Sequence, residues 1–194
     1  MIQGIELVDW KNYEEIIKFY ETNKLYLDNF QDRTQYDSII TIIDIKIAYC
    51  KALISKNHYS DCFDILTHIN IMLNGLDKNS SDYNTRYETY LFIEGVVYGY
   101  LKRYEESQSN FKELVKIDPK NDLYKDWFVG NRMHIIAKQS NIVGYTGSII
   151  IFFSIFMDIF FKFKNGLLFT LIGLFCVILG YGFPYLIRLI DKIK

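Results

Sequence analysis

Two long apolar runs close the chain. Asn141–Phe161 reads NIVGYTGSIIIFFSIFMDIFF, and Gly166–Ile187 reads GLLFTLIGLFCVILGYGFPYLI without a single charge. A bilayer-spanning helix needs about 20 apolar residues at roughly 1.5 Å each, and both runs reach that length. Between them stand Lys162, Phe163, Lys164 and Asn165, enough only for a tight hairpin. Upstream the apolar positions recur with the 3.6-residue period of helices that bury one face. The pattern predicts helices over Lys11–Asn23, Thr34–Ser55, Ser60–Asn74, Asp82–Leu101, Tyr104–Ile117 and Asp122–Ser140. Asp122 is placed to cap the last of these, which runs on into the first span. No alternating strand pattern persists. The fold class predicted is all-α: a six-helix domain over residues 1–140, then a transmembrane hairpin over 141–194 with spans near 141–161 and 166–187 and a short basic tail.

Charge follows the same division. Residues 1–140 carry 17 basic and 21 acidic side chains, and residues 141–194 carry 5 and 2, so the overall net charge of −1 averages two unlike parts. No basic excess points to nucleic acid. Basic residues near spans favour the cytosolic side. Lys125, Arg132 and Lys138 precede the first span, Arg188, Lys192 and Lys194 follow the second, and only Lys162 and Lys164 lie between. Both termini are therefore expected in the cytosol. The opening MIQGIELVDW has neither the basic nor the apolar region of a signal peptide. Asp158 lies inside the first span, near its end, with Lys162 four residues on and so placed to pair with it. Gly180, Gly182 and Pro184 suggest a kink late in the second span. Gly144 and Ser148 form a small-xxx-small pair, which permits close helix approach.

Within the soluble part, Glu88–Asn121 reads ETYLFIEGVVYGYLKRYEESQSNFKELVKIDPKN. Leu91, Gly95, Tyr98, Ser107, Phe111 and Pro119 occupy the spacing of large, small, aromatic, small, aromatic and proline positions of the tetratricopeptide repeat (TPR) family, which this stretch resembles. The physical roles are plain. Gly95 admits a neighbouring helix, Tyr98 and Phe111 fill the seam, and Pro119 ends the second helix because it cannot continue the hydrogen-bond ladder. A weaker match over Ile43–Leu76 sets Tyr59, Cys62 and Leu66 opposite Tyr104, Ser107 and Phe111, with Cys50 at the small position. The run KNYEEIIKFYE resembles a second repeat helix, with Tyr13, Ile16 and Tyr20 in phase. The resemblance implies a helical-hairpin array binding a protein partner along the surface lined by the first helix of each hairpin. On that pattern Asp44, Ile47, Lys51, Ile54, Thr89, Phe92, Val96 and Gly99 line it, unless a neighbouring helix covers them.

Candidate chemistry is sparse. There is no glycine-rich phosphate loop and no nucleophile elbow. His58 and Cys62 form one close pair of metal-ligand types, fewer than a stable zinc site needs. Three cysteines set far apart make no disulfide framework. No enzyme, cofactor or metal is expected. The reading that follows is a membrane-anchored interaction scaffold in a bacterial inner membrane, its partners a protein (or a second copy) and the bilayer. The layout also resembles bacterial membrane-disrupting effectors, in which the soluble domain senses or oligomerises and the hairpins permeabilise the membrane.

Overall fold

The computed structural model describes residues 4–30, 36–161 and 165–193. All its regular elements are helical: after a 3-10 turn at Ile5–Leu7 come α1 (Tyr13–Asp28), α2 (Tyr36–Ser55), α3 (Cys62–Leu73), α4 (Ser81–Tyr100), α5 (Tyr104–Ile117), α6 (Asp122–Phe161) and α7 (Gly166–Ile193). Local chemistry sets several boundaries. The Asn12 side chain accepts from the Glu14 N–H, with Glu14 and Glu15 at the positive end of α1. Ser80 caps α4 by accepting from the Tyr83 N–H at 3.1 Å. Helix α5 stops at Ile117, before Asp118 and Pro119.

The chain forms two compact units, one ending at Phe128 and the other beginning at Val129. In the first, helices pack in sequence, α1 on α2, α2 on α3 and α4 on α5, and α4 also packs on both α2 and α3. That is the contact order of stacked hairpins. The core is aliphatic over α2 and α3 (Ile42, Ile43, Ala52, Ile69) and aromatic over α5, where Phe111 is fully buried.

The two hairpins repeat one another closely. Asn57 and Lys102 take the left-handed conformation with φ of 63° and 62°. The backbone N–H groups just after them, His58 and Arg103, donate to the carbonyls of Leu53 and Tyr98, each at 2.9 Å. Both α2–α3 and α4–α5 thus close through the same turn, at a constant offset along the chain.

The second unit contains the remainder of α6 and all of α7. Helix α6 is 40 residues long and crosses the boundary between units without interruption. Helix α7 carries Pro184 in its interior and continues to Ile193. Asp122–Phe160 and Gly166–Tyr185 are long and apolar enough to cross a membrane.

Candidate functional site

On the first unit, the repeat positions take up defined places. Gly95 is buried against the Phe111 ring, where a Cβ would stand 2.8 Å from Phe111 Cε2. Ser107 donates to the Gly95 carbonyl at 2.6 Å, Leu91 is buried, and Pro119 is exposed in the turn before α6. Tyr98 lies between hairpins, 5.7 Å from Phe63 of α3 by ring centroids and 4.5 Å from the Arg103 guanidinium.

The positions expected to line a partner surface divide. Ile47 and Val96 are buried. Phe92 sits edge-on to Phe111 and 5.8 Å from Tyr124 of α6. Gly99 lies under Trp127, where a Cβ would come within 2.7 Å of the indole. The first turns of α6 therefore cover the α4 part of this surface, because Gly99 leaves room for an indole that also stacks on Phe111 at 5.2 Å. Asp44 is exposed and held by Arg86 at 2.7 Å. Lys51 is exposed, Ile54 and Thr89 are half-buried, and the Thr89 hydroxyl turns back to the Thr85 carbonyl.

A cleft of about 420 Å³ opens elsewhere, bounded by Glu21 and Asp28 of α1, Tyr49 of α2 and Asp61, Asp64 and His68 beside it. Next to it lies Lys46, a lysine only 1% exposed. Its Nζ stands 2.7 Å from Asp28 Oδ1 and donates to the Tyr20 hydroxyl at 3.0 Å. That hydroxyl donates to the same carboxylate at 2.7 Å. Burial alone would raise the Asp28 pKa, but the hydrogen bonds from Lys46 and Tyr20 outweigh it and hold the carboxyl below its ordinary value. Burial, then the bond to Asp28, pushes the Tyr20 phenol up. Tyr20 stacks on Tyr49 at 3.8 Å, and Tyr49 donates to Glu21. The ion pair thus ties α1 to α2. Sequence reasoning missed it, although Lys46 stands in the run IITIIDIKIAYC in phase with Ile42, Tyr49 and Cys50, all buried. Among the described residues, no three His, Cys, Asp or Glu side chains converge as metal ligands.

On the second unit, the α6–α7 contact is built from small residues. Ser140, Gly144, Gly147, Ile151 and Ser154 of α6 meet the side of α7 that carries Gly166, Thr170, Gly173, Val177 and Gly180, and both sets recur in alternating steps of four and three residues. The backbones meet: a Cβ on Gly180 would stand 2.3 Å from the Gly144 nitrogen, and one on Gly147 2.7 Å from the Gly173 oxygen. Ser154 donates to the Gly166 carbonyl at 2.6 Å and lies 3.0 Å from the Thr170 hydroxyl. Ser148, the partner expected for Gly144, is exposed and returns to the Gly144 carbonyl instead. Because the seam takes the small side chains, the large ones point outward: Phe152 is 74% and Leu167 76% exposed.

Asp158 is exposed and lies beside the start of α7, its Cβ 3.4 Å from where a Gly166 Cβ would stand. A carboxylate there faces the positive end of that helix. The expected pairing with Lys162 lies outside the described residues. Comparison of the chain with protein families, characterised proteins and solved structures gives no match.

Proposed function

We propose that the chain is a membrane-anchored, TPR-like interaction protein, with a cytosolic helical-hairpin array that binds a protein partner and a two-span hairpin that holds it in the bilayer. The observation that carries this reading is the outward apolar surface of α6 and α7. Phe152, Phe153, Ile159, Leu167, Leu168 and Phe175 each stand more than half exposed, a density of outward apolar side chains that suits lipid better than water. The seam supports it from the other side. Small residues that bring helix backbones together are how spans associate where no hydrophobic drive exists between them. The repeated turn and the equivalent small positions in α2–α3 and α4–α5 support the repeat reading.

The basic residues, six flanking the spans against two between them, favour cytosolic termini. The source reading of a bacterial inner membrane belongs to the same proposal. Partner capture tests the function: the full chain, crosslinked in its native membrane, is expected to bring down one stoichiometric protein partner through the array. Recovery of copies of itself alone overturns the scaffold in favour of an effector that acts by assembling hairpins.

A further inference from the structure

The α6–α7 hairpin carries two matching stripes at the end where α6 enters its apolar run and α7 leaves it. On α6, Lys138, Tyr145 and Phe152 follow at intervals of seven residues, and on α7 so do Leu174, Tyr181 and Arg188. Seven residues are about two helical turns, so each set shares one face. The rings of Tyr145 and Tyr181 meet edge to face, 6.4 Å apart between centroids, which puts both stripes on one flank of the hairpin. Gly144 leaves room for Tyr181: a Cβ there would stand 2.9 Å from Tyr181 Cε2. The α7 stripe goes on with Tyr185 and Lys192, each four residues past a member of it, because the helix continues to Ile193.

Chemistry changes along the stripes in the order in which a bilayer changes. Phe152 and Leu174 are apolar and exposed, Tyr145, Tyr181 and Tyr185 are amphipathic and exposed, and the cations come last. Tyrosine rings of this kind take the headgroup level of a membrane. From the tyrosine pair to Lys138 or Arg188 is about 10 Å along either axis, a little more than a headgroup layer of roughly 5–8 Å, and long basic side chains reach across such a difference. None of the three phenols hydrogen-bonds to a described residue, so each has a donor to offer. Lys138 is exposed. Asp191, the one acid between Gly166 and Lys194, stands eleven residues after Gly180 and so at a seam position, out of the stripe.

We propose that this flank binds the headgroup of an anionic phospholipid. The proposal rests on the membrane reading above and names the lipid class that the anchor selects. The phosphate diester is the group that matches: its charge meets the cations of Lys138, Arg188 and Lys192, and its oxygens accept from the tyrosine hydroxyls. A zwitterionic headgroup brings a cation of its own against these like charges. Basic clusters between spans on the cytosolic side recognise anionic headgroups in this way. Free phosphate would satisfy the cations but leave Phe152 and Leu174, at the inner ends of the stripes, uncovered; acyl chains cover them. Arg132 is exposed at the same end, but it stands thirteen residues before Tyr145, about 140° of helix rotation off the stripe, and forms no part of the site.

The test uses the purified full chain in a neutral detergent, offered equal amounts of phosphatidylglycerol and phosphatidylcholine of the same acyl length. Retained lipid is counted from the mass of the intact complex. The parent should keep phosphatidylglycerol over phosphatidylcholine by at least several-fold, and excess inorganic phosphate should not displace it. Lys138→Gln combined with Arg188→Gln should bring the ratio close to one. Arg132→Gln, which removes a charge from the same end but another face, should leave it unchanged. Equal retention of the two lipids by the parent, or an equal loss of preference in Arg132→Gln, overturns the headgroup site and leaves the anchor standing. Displacement by phosphate overturns the lipid as occupant. A chain that stays dispersed without detergent and keeps neither lipid overturns the membrane reading and the site with it. The parent chain's own ratio decides the matter if the double variant fails to fold.

Discussion

The Ser107 hydroxyl of α5 stands 2.6 Å from the Gly95 carbonyl oxygen of α4 and donates to it. The contact depends on Gly95 having no side chain. Phe111, fully buried and stacked on Trp127, occupies the space a Cβ would need. Gly95→Leu should therefore destabilise the array by roughly 1–3 kcal/mol, the usual cost of overpacking. Ser107→Ala, which removes one hydrogen bond and leaves a small gap, should cost only about 0.5–1.5 kcal/mol. Denaturant titration of the full chain in detergent, followed by emission from Trp127 with Trp10 replaced by Phe in every variant, checks both. An unmoved midpoint for Gly95→Leu would contradict the packing described.

Helix periodicity made the order of elements legible, and Tyr104–Ile117 coincides with α5. It failed at the end of α1, expected at Asn23 but reaching Asp28. Asn23 reads as a helix-stop residue, yet its side chain donates to the Phe19 carbonyl at 3.1 Å, and the next turn is held by buried Leu27 and the Asp28–Lys46 pair. That pair is a contact between distant segments, which no local pattern encodes. The small residues of the hairpin were visible singly. Their alternation of four and three steps, the seam itself, was available in the sequence, but pairing Gly144 with Ser148 obscured it.

Asp28→Asn should be worse for the fold than Lys46→Met. Losing the carboxylate leaves a buried ammonium uncompensated, about 3 kcal/mol at the lower end of such losses because Asp28 is partly exposed. Losing the ammonium leaves a carboxylate that solvent reaches. The pH dependence has a definite sign. Asp28 has a lowered folded-state pKa, so its contribution is present above the ordinary carboxylate range and is lost as pH falls through that range to the lowered value. Acid titration of stability should show a steeper fall in the parent than in Asp28→Asn; equal slopes would remove the pair from the account of acid stability.

Topology is checked by impermeant thiol labelling in a chain whose own cysteines are replaced. A cysteine at Asn165 should label in intact cells, and one at Asn121 only after the membrane is broken. The reversed pattern would invert the orientation drawn from the basic residues.

Gly180→Ile should separate the two spans, because its Cβ alone would lie 2.3 Å from the Gly144 nitrogen. Backbone cannot yield as a flexible side chain can. A pair of cysteines at Ser154 and Thr170, whose side chains lie 3.0 Å apart across the seam, in a background lacking Cys176, should crosslink efficiently in the parent hairpin and at least several-fold less in Gly180→Ile. Gly182→Ile, whose Cβ would meet nothing within 4 Å, serves as the control and should crosslink like the parent. Equal crosslinking in all three would mean that α6 and α7 do not meet through this seam in the bilayer.

Asp158 separates anchor from effector. In an anchor the hairpin only has to bury apolar side chains, at about 25 cal/mol per Å², and another pair of apolar spans should serve as well. In an effector several hairpins must meet and admit ions, and a carboxylate near the end of a span would attract cations at the mouth of the assembly. The packing favours the anchor. The seam between α6 and α7 is closed backbone to backbone, Ser154 and Thr170 direct their hydroxyls to the Gly166 carbonyl, and Asp158 sits against the start of α7 rather than in an open channel between the helices. The measurement is membrane potential after forced clustering of the array, in the parent, in Asp158→Asn and in a chimera with unrelated spans. The anchor predicts no depolarisation in any of them. Depolarisation by the parent that the chimera abolishes and Asp158→Asn weakens would make the hairpin the active part and Asp158 its cation-attracting group.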